Sequence, residues 1–271
     1  MAVLVTGGTG LVGSHLLPRL LEAGLECRGL VRGARTLPAG VTAVEGDLFD
    51  REALSRATEG VSDVVHLAAV FRSQDADLIW RSNFEGTLNL ISAVKGHARN
   101  ARFILASTSN VYDAHNPHPG REDDLVDPRH AYPASKVAAE KALRNSGLNW
   151  VVLRFPFVYG DGDGHLEELP KHARAGRWHP ARRISTLHHR DVATAIALAL
   201  DGVFDGRIVN VSDEAPSCLL DLATLVGEPL EPSAEPLQDP WHLHVDGSLA
   251  RRLGFRPRVR TVWQAVQEGL M

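Results

Sequence analysis

Tyr132-Pro133-Ala134-Ser135-Lys136 places a phenol and an ammonium at positions i and i+4 of a segment that reads as a helix start. On a helix that spacing puts both groups on one face, and Pro133 fits a first turn. An ammonium beside a phenol favours the phenolate and lowers the phenol's pKa, which suits a tyrosine that gives or takes a proton near neutral pH. Taken alone, a surface Tyr and a surface Lys fit the pattern as well. Ser107-Thr108-Ser109 ends an apolar run. A hydroxyl there can hydrogen-bond a substrate oxygen, or simply cap the end of a strand. Gly7, Gly10 and Gly13 lie between the apolar run Val3–Val5 and a helical pattern of leucines. Glycines at this spacing allow a turn with positive φ, a close pyrophosphate and tight helix–strand packing. The helix start then offers free N–H groups and a partial positive charge to a phosphate.

These residues need a frame, and the chain supplies a rhythm for one. Val3–Val5 is followed by a helix over Leu11–Ala23, with Pro18 inside it as a candidate kink and Gly24 at its end. Glu26–Val31 and Val41–Glu45 read as strands, Arg51–Thr58 as a helix, Asp63–Leu67 as a strand and Arg81–Arg99 as a long helix. Arg102–Ala106 is a fifth strand. A proline- and charge-rich loop, Asp113–Arg129, leads to a helix over Pro133–Arg144 and a strand over Trp150–Leu153. Alternating strands and helices imply a parallel sheet covered on both faces. Such sheets bind ligands at the carboxyl ends of their strands, where Thr6, Arg32, Asp47, Ala68 and Thr108 fall.

Beyond Leu153 the rhythm loosens. Gly160–Gly164 reads as a loop, Leu166–Ala175 and Asp191–Leu200 as helices and Arg207–Val211 as a strand. Glu228–Pro240 reads as a loop and Thr261–Gly269 as a last helix. The organisation expected is a core over 1–157 and a smaller lobe over 158–271, with segments near 187–211 returning to the core. Asp161–Pro180 and Glu214–Val245 are the stretches expected to shape the substrate pocket.

The 271 residues carry a net charge of -4, with 44% hydrophobic and 23% charged residues. That is the composition of a globular protein without a global basic field for nucleic acid or a membrane surface. The longest apolar runs are strand-length, so no membrane span is expected. The N-terminus enters a strand directly, without a signal-peptide pattern. With only Cys27 and Cys218, a reduced, cytoplasmic protein is expected. The thirteen histidines include His115, His118, His130 and the adjacent His188-His189, but none in a metal-ligand spacing. No metal is expected, and His115 or His118 would stand in solvent or at the substrate mouth.

Taken together, the motifs resemble those of the extended short-chain dehydrogenase/reductase family, also called the NAD(P)-dependent epimerase/dehydratase family. Thr6 to Gly13 matches its nucleotide turn, Gly46-Asp47-Leu48 its adenine-side segment and His66-Leu67-Ala68-Ala69 the strand end beside the cofactor. Asn83-Phe84-Glu85-Gly86-Thr87, Ser107 to Tyr112, Tyr132 with Lys136, and Leu153 to Gly160 follow in family order. Leu187 to Ala193 and Leu253 to Pro257 resemble its late motifs. The resemblance implies a Rossmann-type doubly wound α/β fold with a small C-terminal substrate lobe: dinucleotide binding by the core over 1–157 and mainly substrate binding by the lobe over 158–271.

By that resemblance Tyr132 is the general acid/base, and Lys136 lowers its pKa and binds the nicotinamide ribose. Thr108, three residues before Val111, holds the substrate oxygen in preference to Ser107 or Ser109. Asn83 supports the site, through a water. The implied cofactor contacts are Gly7, Thr9, Gly10, Leu11, Val12 and Gly13; Arg32, Arg35, Asp47 and Leu48; Leu67, Ala68 and Ala69; Tyr132 and Lys136; and Phe155, Pro156 and Val158. Val70, Ser109, Asn110, Phe157 and Arg190 are the implied substrate contacts. A homodimer through the helices holding Asn83 and Tyr132 is also implied.

Where NAD-using relatives end the second strand in an acid for the ribose 2′-hydroxyl, this chain has Val31, then Arg32 and Arg35. A guanidinium suits a 2′-phosphate, so NADP(H) is favoured. Arg32 stacking on adenine with NAD(H) is the alternative. Sugar-nucleotide dehydratases of the family carry Asp-Glu where this chain has Ser109-Asn110, and nucleotide-sugar enzymes usually carry Asn where it has Phe157. The C-terminal part is also short for gripping a nucleoside diphosphate. The reading is an NADP(H)-dependent oxidoreductase acting on a small carbonyl or alcohol substrate. Its rivals are a nucleotide-sugar epimerase with retained cofactor and a non-catalytic dinucleotide sensor.

Overall fold

Period-two alternation builds the centre of the molecule. In β1 (Ala2–Thr6), Val3 and Val5 face one apolar layer and Ala2 and Leu4 the other. The same split holds in β5 (Arg102–Thr108), where Ile104 faces the first layer and Phe103 and Leu105 the second. Strands buried on both faces need helices on both faces. α1 (Leu11–Glu22) and α7 (His189–Leu200) cover one side. α2 (Arg51–Thr58), α4 (Gly86–His97) and α5 (Ala131–Arg144) cover the other. The structure is a computed structural model and describes residues 2–33 and 35–271. Met1 and Ala34 lie outside the described residues.

The remaining strands of the main sheet are β2 (Glu26–Val31), β3 (Thr42–Glu45), β4 (Val61–His66), β6 (Asn149–Phe155) and β10 (Arg207–Asn210). All seven pair in parallel, in the order β10-β6-β5-β4-β1-β2-β3. The strand order reverses direction at β1 and β4, and such a switch point opens a crevice at the carboxyl edge. This is the Rossmann-type α/β fold. β10 joins the sheet beside β6, and α7 packs on α1, so residues 189–210 belong to the layer built by the N-terminal half.

Between and after these elements the chain forms two short ladders. β7 (Phe157–Tyr159) pairs in parallel with β9 (Thr186–His188), and β8 (Arg183–Ile184) is antiparallel to β11 (Ser217–Cys218). α6 (Leu169–Ala175), α8 (Leu219–Leu225) and α10 (Val262–Gln267) enclose a third apolar cluster that includes Leu169, Leu222 and Val262. α9 (Ser248–Arg252) packs beside β10. Among the described residues no helix is long and apolar enough to cross a membrane.

Some boundaries differ from the sequence expectation for local reasons. The long helix starts earlier, as α3 (Ala76–Trp80), because the Asp75 carboxylate accepts the Leu78 amide at 2.9 Å and caps it. It then passes through a π turn, Arg81–Glu85, before α4. α6 starts later than Leu166, since Pro170 is tolerated only in a first turn. α1 continues through Pro18.

Candidate active site

The carboxyl edge of the sheet opens onto a cavity of about 1000 Å³. The glycine turn forms one end of it. Gly7 has φ +76°, and a Cβ there would stand 2.6 Å from the Ala68 amide nitrogen. A Cβ on Gly13 would run into the Gly7 carbonyl and lie 2.6 Å from the Gly8 Cα. These two glycines lock the turn against β4 and α1. Gly10 would meet only the Gly7 oxygen, at 3.2 Å, and lines the cavity. It caps α1 without a side chain, and the first turn carries no acid. The amides and the positive end of the helix dipole are thereby left for an anion.

Arg32 and Arg35 flank this end. The Arg35 guanidinium donates to Thr9 Oγ1 at 3.4 Å. Arg32 also borders a smaller hollow, with Arg56 and the carboxylates of Glu45, Asp47 and Asp50. Asp47 accepts the amides of Phe49 (2.7 Å) and Asp50 (3.1 Å), so its carboxylate shapes the turn as well as lining the cavity.

A chain of buried hydrogen bonds fixes the middle of the site. Thr87 Oγ1 donates to the Asn83 carbonyl (2.6 Å), so it accepts from His66 Nε2 (2.9 Å). His66 Nδ1 then accepts from Thr6 Oγ1 (2.6 Å), and the same Thr6 oxygen takes the Ala68 amide at 3.4 Å. His66 is fully buried. Burial, and next the Lys136 charge, push its pKa down to about 3, so it is a neutral strut between β1, β4 and α4.

At the other end stand Thr108, Tyr132 and Lys136, all on the cavity wall. Lys136 is 1% exposed. The Thr108 hydroxyl oxygen accepts the Asn110 amide at 3.2 Å. Ser107 is turned to the Glu140 carboxylate, to which its hydroxyl donates. The Tyr132 ring lies 4.7 Å from that of Phe71. Burial pushes the Tyr132 phenol up to about 12. It also pushes the Lys136 ammonium down to about 8, against the opposing pull of Glu140. Desolvation sets the direction for the phenol, opposite to the lowering expected from Lys136.

Of the residues singled out in the sequence, Gly7, Thr9, Gly10, Leu11, Val12 and Gly13 line the cavity with Arg32, Arg35, Asp47 and Leu48. So do Leu67, Ala68, Ala69 and Val70, and Ser109, Asn110, Phe155, Pro156, Phe157 and Val158. Two do not. Asn83 is fully buried, and its amide brackets Val70, accepting that residue's N–H (2.7 Å) and donating to its carbonyl (2.9 Å). It also donates to Ser135 Oγ at 3.1 Å. It positions the wall and α5 directly and does not touch the cavity. Arg190 lies off the wall, drawn 3.2 Å from Asp161 Oδ1, while Arg19 holds Asp161 Oδ2 at 2.5 Å. Arg190, expected at the substrate pocket, does not line the cavity.

Phe71 and Arg72, which the sequence reading did not name, line the cavity, and so do His165, His172 and Trp178 from the Asp161–Pro180 stretch and Leu243 from the Glu214–Val245 stretch, both expected to shape the pocket. For Phe71 and Arg72 a signal existed: they directly follow the strand-end turn after β4. The other four were not named singly: His165, Trp178 and Leu243 lie in irregular segments and His172 on the short helix α6.

A profile of the NAD dependent epimerase/dehydratase family matches residues 3–212, and the chain belongs to that family. It is 33% identical over 236 residues to a UDP-glucose 4-epimerase of Azospirillum brasilense, covering 73% of this chain and 68% of that one. It is 31% identical over 250 residues to a 4-hydroxy-2-methyl-3-oxo-4-farnesyl-3,4-dihydroquinoline-1-oxide ketoreductase of Stigmatella aurantiaca, covering 84% and 73%. Among solved structures, a short-chain dehydrogenase/reductase superfamily protein from Agrobacterium tumefaciens with bound NAD superposes with a TM-score of 0.81 at 26% identity, over 99% and 95% of the two chains. The Thermus thermophilus UDP-glucose 4-epimerase in complex with NAD superposes with a TM-score of 0.79 at 27% identity, over 98% of each. The chain is an NAD(P)-dependent enzyme of the extended short-chain dehydrogenase/reductase type. The glycine turn, open at Gly10 and free of acids, fits the dinucleotide such an enzyme uses.

That fit separates two glycines. Gly13→Ala is expected to weaken binding of the NAD(P) cofactor by at least ~10-fold, because the turn must move to admit the methyl group. Gly10→Ala should be several times milder. Fluorescence titration of both variants with NADPH checks the order; equal losses would count against this assignment of their roles.

Proposed function

We propose that the protein is an NADP(H)-dependent oxidoreductase that interconverts a carbonyl and an alcohol, with Tyr132 as general acid/base. The observation that carries this reading is the placement of Thr108, Tyr132 and Lys136 on the wall of the cavity that the glycine turn and Arg32 also line. A bound nicotinamide supplies the hydride that reaches the carbonyl carbon. The Tyr132 phenol gives its proton to the carbonyl oxygen, or takes it from the alcohol in reverse. Thr108 orients that oxygen. Lys136, on the Tyr132 face of α5, would hold the nicotinamide ribose. His66 and Asn83 keep the β4 end and α5 at a fixed separation.

NADP(H) is the favoured cofactor because β2 ends at Val31 and is followed by Arg32, with no acidic residue at the end of that strand. Wild-type protein should bind NADP more tightly than NAD, and Arg32→Glu should reverse the order, by ~10-fold or more in the ratio of the two Kd values. Isothermal titration with each cofactor tests this; an unchanged ratio would reject Arg32 as the selector. A cytoplasmic setting fits the free Cys27 and Cys218. A homodimer across α4 and α5 fits the exposure of Leu88 on α4.

A second reading, nucleotide-sugar epimerisation, draws on the likeness to the Azospirillum brasilense enzyme. It requires cofactor retained through purification. Protein that arrives empty and consumes NADPH stoichiometrically with a ketone supports the oxidoreductase reading instead.

A further inference from the structure

The cavity beyond Tyr132 combines apolar walls with one concentrated patch of basic side chains. Phe71, Phe157, Trp178 and Leu243 line that part. Arg72 lies against the Phe71 ring, its guanidinium carbon 5.5 Å from the centroid. Phe71 in turn packs on the Tyr132 ring. Arg72 therefore stands one aromatic ring away from the phenol.

The guanidinium lacks a carboxylate partner. Among the described residues Arg72 makes no ion pair, and its nitrogen donates instead to His165 Nε2 at 2.5 Å. His165 is held for that role: its Nδ1 donates to the Val158 carbonyl at 2.7 Å, and its ring stacks on Phe157 with centroids 4.3 Å apart. His172 lines the same region, and its buried Nε2 has no hydrogen-bond partner. The Glu168 charge acts on Arg72 through space, but neither of the two nearby acids is in an ion pair with it. Glu168 pairs with Lys171 at 2.7 Å, and Asp163 pairs with His189 at 2.7 Å. An exposed guanidinium at the edge of the cavity with no carboxylate in an ion pair, beside a buried imidazole nitrogen without a partner, is placed to receive an anion.

We infer that Arg72, with His165 and His172, forms a subsite for an anionic oxygen group of the substrate, a carboxylate or a phosphate ester, so that the enzyme acts on an acidic carbonyl compound with an apolar body. The anion takes the guanidinium hydrogen bonds while the body packs on Phe157 and Trp178. The carbonyl then reaches Tyr132 past Phe71. His172 Nε2 supplies a further donor in its N–H form. This inference rests on the reading of the cavity as a carbonyl-substrate site.

The test uses ligands that cannot be reduced. Protein saturated with NADP is titrated calorimetrically with 4-phenylbutyrate, with phenyl phosphate and with the neutral 4-phenylbutanol. At least one of the two anions should bind ~10-fold or more tightly than the alcohol, and the tighter one identifies the source of charge. Arg72→Met should abolish that preference while alcohol binding persists, which also shows that the variant is folded. Arg72→Lys should retain much of it. Equal affinity for anions and alcohol, or an undiminished preference in Arg72→Met, would overturn the subsite. The redox reading is tested separately with 4-oxo-4-phenylbutyrate and NADPH: anion binding without NADPH oxidation by any ketone would sink the oxidoreductase reading and leave the subsite standing.

Discussion

Replacing Tyr132 by Phe is expected to lower turnover by about 10²–10⁴-fold, the span of general acid/base catalysis, with NADP affinity nearly unchanged. The substitution keeps the ring that packs on Phe71 and removes only the hydroxyl. Steady-state rates with a substrate that consumes NADPH, and a parallel cofactor titration, read the two effects apart. Full turnover in Tyr132→Phe would refute the proton-transfer role. The pH dependence follows from burial. With the phenol pushed up to about 12, it stays protonated through neutral pH, so the proton for carbonyl reduction is in place. Alcohol oxidation needs the phenolate, whose fraction grows with every rise in pH below that value. From neutral pH to about 8, where Lys136 still keeps much of its charge, oxidation should accelerate while reduction stays nearly level. An oxidation rate that is flat over this interval would point to another base.

Why was one half of this site legible in the sequence and the other half not? The glycine turn, the Tyr132–Lys136 pair and Thr108 are local patterns at strand ends or helix starts. A parallel sheet brings all such ends to one edge, so naming the ends was enough to collect the residues. The basic patch has no such guide. Arg72 follows a strand, while His165 and His172 lie in a loop and a short helix, and only the return of 157–178 over the cavity joins them. Arg190 shows the opposite failure: a residue inside a family-like motif was drawn off the wall by Asp161, a partner 29 positions away in sequence. The Tyr132 phenol shows a third. Spacing places an ammonium on its helix face, but spacing carries no information on solvent, and desolvation decides the direction of its pKa. Helix bounds moved for equally local reasons, such as the Asp75 cap.

Glu140→Gln is expected to destabilise the fold by about 3–5 kcal/mol, the usual consequence of stranding a buried charge, and to lower the melting temperature by on the order of 10 °C. Glu140 lies on α5 one turn past Lys136, with its side chain 4% exposed. It accepts from Arg154 through Nε at 3.1 Å and Nη2 at 2.7 Å, and from the Ser107 hydroxyl. Arg154, 3% exposed, also donates to the Tyr112 phenol at 3.0 Å, and that phenol donates to Asn210 at 2.7 Å. The carboxylate thus ties α5, with Tyr132 and Lys136 on it, to β5, β6 and β10. Glutamine keeps the shape and removes the charge that Arg154 requires. Glu140→Leu combined with Arg154→Met should recover most of the loss, because replacing a whole buried pair by apolar groups is often close to neutral. Calorimetric melting of both proteins checks this; a Glu140→Gln variant that melts with the wild type would show that the pair does not hold the layer together. Catalysis supplies an independent readout. Glu140 raises the Lys136 pKa against burial, so its neutralisation lets that pKa fall further. The alkaline decline in reduction should then begin at lower pH in Glu140→Gln than in the wild type, an effect that loss of packing alone would not produce.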